Sequence, residues 1–155
     1  MAYFEWGDDL SVGNSLIDHD HQRLIALVND LHTATTQGEG REVVGGILTE
    51  LITYTRAHFQ REEHHMQAVR YPKLAEHRRL HQELLEKVLE LETRHKAGHV
   101  TVAAQVSTLL RDWLSIHIRR ADKEFAASSA ARGLGSTYPG ERALVQPPGA
   151  KTRMP

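Results

Sequence analysis

Apolar residues recur along most of the chain at alternating steps of three and four, which is the spacing of a buried stripe on an α-helix. The stripe and the good helix formers around it predict four helices, near residues 18–36, 41–69, 73–96 and 101–124. Gly38, Pro72 and Gly98 mark the breaks between them. Because short connections make neighbouring helices antiparallel, the pattern predicts an all-α, up-down-up-down antiparallel four-helix bundle.

This pattern is missing at both ends of the chain. Residues 1–17 contain two glycines and three aromatic side chains, which indicates an irregular N-terminal arm packed on the bundle. Residues 126–155 contain four of the five prolines and few large apolar side chains, so they bury too little surface to offset the entropy of ordering them. We therefore predict a helical domain over 1–125 and a disordered, flexible C-terminal tail over 126–155.

Composition narrows the possible functions. With 19 Lys+Arg against 20 Asp+Glu, the net charge is −1, which argues against a nucleic-acid-binding protein. Cysteine is absent, so disulfides, thiol catalysis and cysteine-ligated metals are excluded. There is neither an apolar run of membrane-spanning length nor the start of a signal peptide, so we expect a cytoplasmic monomer without membrane insertion. The unusual feature is histidine, with 11 residues.

Polar residues interrupt the apolar stripe at six positions where leucine or isoleucine is expected. These positions are His21, His58, Glu62, His77, His81 and His117. A buried polar group without a partner costs about 1–3 kcal/mol, so purely structural roles would require a separate partner for each residue. Measured from the helix connections at about 1.5 Å per residue, the four helices bring these residues to the same height within roughly 3–8 Å. The sequence thus predicts one polar layer inside the bundle.

The chemistry of this layer indicates metal binding. Within the pairs His58/Glu62 and His77/His81 the residues are four apart, which points both side chains of a pair in the same direction. With Asp122 added, the layer offers five imidazoles and two carboxylates, more than one four-coordinate zinc ion needs. Two metal ions can use all seven of these side chains if both carboxylates bridge the ions and solvent supplies one bridging oxygen. One coordination position then stays open for a small ligand.

Four segments carry a resemblance to a known family. They are Ile17-Asp18-His19-Asp20-His21, His58-Phe59-x-x-Glu62-Glu63, His77-x-x-x-His81 and Trp113-Leu114-x-x-His117-Ile118-x-x-x-Asp122. In order and spacing they resemble the hemerythrins, specifically the single-domain bacterial kind, over about residues 3–125. The sequence departs from the family pattern at Asp20, where glutamine is common; this is not a ligand position in the family.

The resemblance implies a non-haem di-iron centre, with an oxo or hydroxo bridge, that binds O2 reversibly for storage, transport or delivery. The ligand sets that it implies are His77, His81 and His117 for one iron, His21 and His58 for the iron with the open position, and Glu62 and Asp122 as bridges. Such a protein is an oxygen carrier and not an enzyme. Its ligand is O2, and an oxygen-consuming enzyme is a partner to which it could deliver.

The same resemblance implies an apolar wall around the open iron, which limits the access of water and reductants. The residues of this wall are Leu24, Phe59, Trp113, Leu114 and Ile118. Leucines and aromatic residues at helical spacing are also ordinary core residues, and the two roles are compatible. The six remaining histidines are expected at the surface or in packing contacts.

One ligand spacing does not fit a regular α-helix. Asp122 follows His117 by five residues, which places it about 140° around the helix axis from His117. Because the ligand count and the family resemblance both require this carboxylate, we predict that the helix departs from α geometry between the two residues. A widened π-type turn is the simplest form. Fraying of the helix end, or side-chain reach from an unbroken helix, are the alternatives.

Other functions stay open at this stage. Di-iron oxidases, peroxidases and ferroxidases of the ferritin type use Glu-x-x-His motifs, and Glu62-x-x-His65 and Glu92-x-x-His95 are present. These two motifs differ in height by roughly 20 Å, so they do not share a site. The histidine-rich layer favours binding over oxidation. Sensing of O2 or redox state, sensing or scavenging of nitric oxide, and iron storage would use the same site.

Overall fold

The computed structural model describes residues 2–131, and most of them are helical. The N-terminal arm contains a 3-10 turn, Asp8–Leu10. The helices are α1 (Ser15–Thr36), α2 (Arg41–Ala68), α3 (Leu74–Lys96), α4 (Val102–His117) and α5 (Lys123–Ala131), with a π-helical turn (Ile118–Asp122) between the last two. No helix in this part of the chain is long and apolar enough to cross a membrane.

The first four helices form the predicted bundle. α1 packs against α2 and α4, and α3 packs against the same two helices, so consecutive helices are neighbours around one core. The apolar stripes of all four helices meet in this core, which includes Leu24, Leu48, Leu84 and Leu110. The prediction of an all-α, up-down-up-down bundle is confirmed.

Local sequence explains where the helices begin and end. The side chain of Asn14 caps α1 by accepting hydrogen bonds from the backbone N–H groups of Leu16 and Ile17, at 3.0 and 3.1 Å. This cap starts the helix at Ser15, slightly before the predicted position. α1 and α3 are each followed by a glycine with a positive φ angle, 69° at Gly38 and 106° at Gly98, a conformation that glycine adopts without steric cost.

The N-terminal arm packs on the bundle as predicted. Phe4 and Leu10 are buried in the core. The Phe4 backbone and the Asn29 side chain exchange two hydrogen bonds of 2.8 Å. The ring of Tyr3 stacks on His32 with 3.6 Å between ring centroids. These contacts hold the arm against α1.

The C-terminal end of the bundle lies further along the chain than predicted. The helix does not stop at residue 125 but continues through α5 to Ala131, and both Phe125 and Ser129 are buried. The predicted boundary is too early because a helix that has already formed extends at little cost, and alanine is the best helix former. The alanines and serines of residues 126–131 are also small enough to pack on the bundle without large apolar side chains. The rest of the predicted tail, 132–155, lies outside the described residues.

Candidate metal centre

The seven candidate ligand side chains lie together in one buried layer. None is more than 6% exposed. They come from α1 (His21), α2 (His58 and Glu62), α3 (His77 and His81), α4 (His117) and the π-helical turn (Asp122). Every helix of the bundle therefore contributes to the layer.

The donor atoms form two groups that share both carboxylates. The groups are His77, His81 and His117 with Glu62 and Asp122, and His21 and His58 with the same Glu62 and Asp122. Within each group one donor atom per residue lies within 4.8 Å of all the others. We call the two sets of imidazoles the three-histidine group and the histidine pair.

Each carboxylate directs one oxygen towards each set of imidazoles. Glu62 Oε1 lies 2.6 Å from His77 Nε2, and Glu62 Oε2 lies 3.2 Å from His58 Nε2. Asp122 Oδ1 lies 3.1 Å from His77 Nε2, and Asp122 Oδ2 lies 3.1 Å from His21 Nε2. This is the arrangement expected of two carboxylates that bridge two cation positions.

The electrostatics of the layer favour bound cations. Burial and the Asp122 carboxylate raise the pKa of Glu62, but the neighbouring imidazoles of His58, His77 and His81 outweigh both and hold it well below its ordinary value. Burial likewise raises the pKa of Asp122, and His117 with two other histidines lowers it well below the ordinary value. Burial lowers the pKa of His58 and His77, but hydrogen bonds to carboxylates outweigh it and raise these pKa values to about 9 and about 10. Two ionised carboxylates thus lie in the core, where positive charge must accompany them.

Several buried polar atoms of the layer have no hydrogen-bond partner among the described residues. They are Nδ1 and Nε2 of His21, Oε2 of Glu62 and Oδ1 of Asp122. In the three-histidine group, His117 Nε2 lies 3.2 Å from Nε2 of both His77 and His81. Nitrogen atoms that converge on one point beside unpartnered carboxylate oxygens fit a metal ion, because both kinds of atom are metal donors.

The π-helical turn explains the spacing of His117 and Asp122. The backbone N–H of Lys123 donates to the carbonyl of Ile118, five residues earlier, whereas a regular α-helix bonds four residues back. The turn absorbs one extra residue and brings Asp122 Oδ1 to 3.1 Å from His117 Nε2. The predicted departure from α geometry is confirmed in its π form.

Two carboxylates that the sequence analysis did not select contact the ligand histidines from behind. Asp20 Oδ2 lies 2.8 Å from His58 Nδ1, and Glu63 Oε2 lies 2.8 Å from His81 Nδ1. An Nδ1–H that donates to a carboxylate leaves the Nε2 electron pair available to a metal. Burial raises the pKa of Glu63, but hydrogen bonds from His81 and Arg78 hold it below its ordinary value.

A sequence signal for these two acids existed. Asp20 directly precedes His21, and Glu63 directly follows Glu62. Neighbouring residues on a helix point about 100° apart, so an acid beside a ligand faces the adjacent helix of the bundle, where the next ligand lies. Asp20 on α1 therefore reaches His58 on α2.

Four of the five residues of the predicted apolar wall are buried, and the fifth, Trp113, is partly buried. Its aliphatic members, each at most 1% exposed, are Leu24, Leu114 and Ile118. Phe59 stacks on His81 with 3.8 Å between ring centroids, and Trp113 stacks on His117 with 4.1 Å. The sequence analysis placed these two rings around the open position beside the histidine pair, whereas their closest ring contacts are with the three-histidine group.

The other histidines lie outside this layer. His65 is buried with its ring 5.3 Å from that of Phe125, and His95 is buried near the C-terminal end of α3. Within residues 2–131, no further group of three or more metal-binding side chains lies close enough to hold an ion.

A four-helix bundle with a buried histidine–carboxylate centre is typical of one class of metal-binding proteins. Comparison with known proteins identifies the family within this class. Residues 12–127 match the hemerythrin HHE cation binding domain. The chain is 38% identical over 126 residues to the bacteriohemerythrin of Stenotrophomonas maltophilia (strain R551-3), covering 81% of each chain. It is 30% identical over 132 residues to the bacteriohemerythrin of Methylococcus capsulatus (strain ATCC 33009 / NCIMB 11132 / Bath), covering 84% of this chain and 100% of that one.

Solved structures agree with these relatives. A crystal structure of a hemerythrin variant matches this fold with a TM-score of 0.77 at 30% identity, over 82% of this chain and 97% of that one. The chain therefore belongs to the hemerythrin family, as the four sequence segments indicated. Members of this family bind O2 at non-haem iron, generally as carriers and not as enzymes.

Proposed function

We propose that this chain binds O2 reversibly at a centre of two irons held by the seven residues of the layer. The three-histidine group would hold one iron and the histidine pair the other, with Glu62 and Asp122 bridging them. When bound, the iron pair supplies the electrons that O2 takes up on binding and returns on release. Storage and delivery of O2 are the uses that this chemistry suits.

The unequal division of the imidazoles is the observation that supports this proposal best. Both carboxylates direct one oxygen to each set, so the two positions differ only in the number of nitrogens, three against two. An ion beside the histidine pair would receive one protein ligand fewer than its neighbour. A small molecule such as O2 would occupy the position left free.

Residues of this chain would protect that position from water. Leu24 lies one turn after His21 on α1, and Leu114 lies one turn before His117 on α4, so both side chains face the ligand layer. Both are fully buried in the core. An apolar environment of this kind limits solvent access to a metal and so controls its reactivity.

Metal analysis and optical spectroscopy of the full chain test the proposal. We expect two irons per chain after expression with iron, and an absorption band that appears when O2 is added to the reduced protein and disappears when O2 is removed. His21→Ala should abolish this band, whereas His95→Ala, a buried histidine outside the layer, should retain it. One ion per chain, or irreversible oxidation on the first exposure to O2, would contradict the proposal.

A further inference from the structure

Side chains of α2 hold the carboxylate behind His58. Asp20 Oδ1 accepts a hydrogen bond of 2.7 Å from the Tyr54 hydroxyl, and Oδ2 accepts one of 2.9 Å from Arg61 Nη2. His58 Nδ1 lies 2.8 Å from the same Oδ2. Because a tyrosine hydroxyl and a guanidinium donate to it, this carboxylate acts as the acceptor for His58 too. His58 therefore carries a proton on Nδ1, and its Nε2 lies on the opposite side of the ring, 3.2 Å from Glu62 Oε2.

Asp20 is also better shielded from water than its counterpart at the other group. Its side chain is 8% exposed, whereas the side chain of Glu63, which contacts His81, is 19% exposed. Glu63 is held by Arg78 at 2.9 Å. A negative charge acts more strongly on its neighbour where the effective dielectric constant is low. The Asp20–His58 contact is therefore the stronger of the two carboxylate–imidazole contacts.

We propose that Asp20 is a positioning residue of the metal centre, which fixes the tautomer and ring orientation of His58 and strengthens this histidine as a ligand. The inference rests on the proposed function, because it takes His58 as a ligand of the ion beside the histidine pair. That ion would have only two imidazoles among its ligands, so it would depend more on each of them. Loss of the Asp20 carboxylate should weaken the hold on one ion of the two.

Release of iron to a chelator, measured without O2, tests this inference. The full chain is loaded with iron, reduced, and mixed anaerobically with an excess of a coloured ferrous chelator. In Asp20→Ala we expect half of the iron to leave about 10–100-fold faster than in the unsubstituted chain, if the affinity loss of about 10–100-fold that follows removal of a residue orienting a metal ligand appears in the release rate. The other half, beside the three-histidine group, should leave at the unsubstituted rate.

Three further variants separate charge, hydrogen bonding and general damage. Asp20→Asn keeps an acceptor for His58 but loses the charge, so its fast phase should lie between those of the unsubstituted chain and Asp20→Ala. Tyr54→Phe removes one donor to Asp20 and should accelerate the same phase by a few-fold. Asp30→Ala removes an exposed acid from the same helix and should change nothing. If Asp20→Ala fails to load iron, Asp20→Asn and Tyr54→Phe decide the question.

Unchanged release in Asp20→Asn, Asp20→Ala and Tyr54→Phe would overturn the inference, as would equal acceleration of both phases. A second readout is the solvent-exchangeable, iron-shifted proton resonance of His58 Nδ1–H, which should shift in Asp20→Asn and broaden or vanish in Asp20→Ala. O2 takes no part in either measurement. A chain that holds two irons but fails to bind O2 would therefore contradict the proposed function and leave the role of Asp20 testable.

Discussion

Leu110 and Leu114 form a matched pair that separates packing of the core from protection of the metal centre. Both belong to α4 and to the same core cluster, and both are at most 1% exposed. Leu114 precedes His117 by three residues and so shares its face of the helix beside the ligand layer. Leu110 lies one turn further from the layer.

Replacement of either leucine by alanine removes three carbon atoms from the core. At about 0.8 kcal/mol per carbon the transfer contribution is about 2.4 kcal/mol, and the cavity brings the expected loss in the free energy of unfolding to about 3–5 kcal/mol in each variant. The cavities differ in their lining. An apolar cavity at Leu110 stays dry, whereas a cavity at Leu114 adjoins imidazole and carboxylate groups that can hydrogen-bond to water.

We therefore expect similar losses of stability but different lifetimes of the O2-bound state. Leu114→Ala should lose this state by irreversible oxidation faster than the unsubstituted chain, and Leu110→Ala should lose it at nearly the unsubstituted rate. The assays are urea unfolding and the decay of the O2-dependent absorption band at one temperature and pH. Equal decay rates in the two variants, with equal losses of stability, would refute the reasoning and remove Leu114 from the protective wall.

Three other predictions concern the fold. Asn14→Ala should lower the free energy of unfolding by about 1 kcal/mol, because two N–H groups at the start of α1 lose their acceptor; urea unfolding measures this. A chain ending at Phe125 should be less stable than one ending at Ala131, because the last turns of α5, with the buried Ser129, are lost; equal melting temperatures would show that residues 126–131 contribute nothing to stability. Deletion of Ala121 should preserve iron content and melting temperature better than deletion of Lys123, because only the first removes the extra residue of the π-helical turn.

Most of the fold and the polar layer could be predicted from the sequence because both depend on periodicity. Leu24 or Leu110 alone says little, but apolar residues at alternating steps of three and four define one face of each helix. Histidines and acids on that same face stand out because burying them is costly. Short connections then fix the topology, and the rise per residue fixes the height of each ligand.

The support behind the ligands could not be predicted in this way. Asp20 lies off the apolar stripe, beside His21, and its role depends on the distance between α1 and α2 and on donors from Tyr54 and Arg61. The spacing of apolar residues along the chain does not predict the distance between α1 and α2. The ring positions of Phe59 and Trp113 depend in the same way on rotamers and on packing between helices, so the sequence identified these residues but not the imidazoles they contact.

The register of the last helix shows that the π-helical turn serves packing as well as metal ligands. Counted from His117, the buried residues Asp122, Phe125 and Ser129 follow at steps of 5, 3 and 4. When one residue is assigned to the turn, these steps become 4, 3 and 4, which continue the stripe of α4. Without the turn, Phe125 and Ser129 would rotate by about 100° away from the core together with Asp122. The contacts of Phe125 with Met66 and Tyr71 therefore stabilise the same backbone geometry that brings the Asp122 carboxylate to the centre. The turn is thus held from both sides, by apolar packing beyond it and by the ligand layer before it.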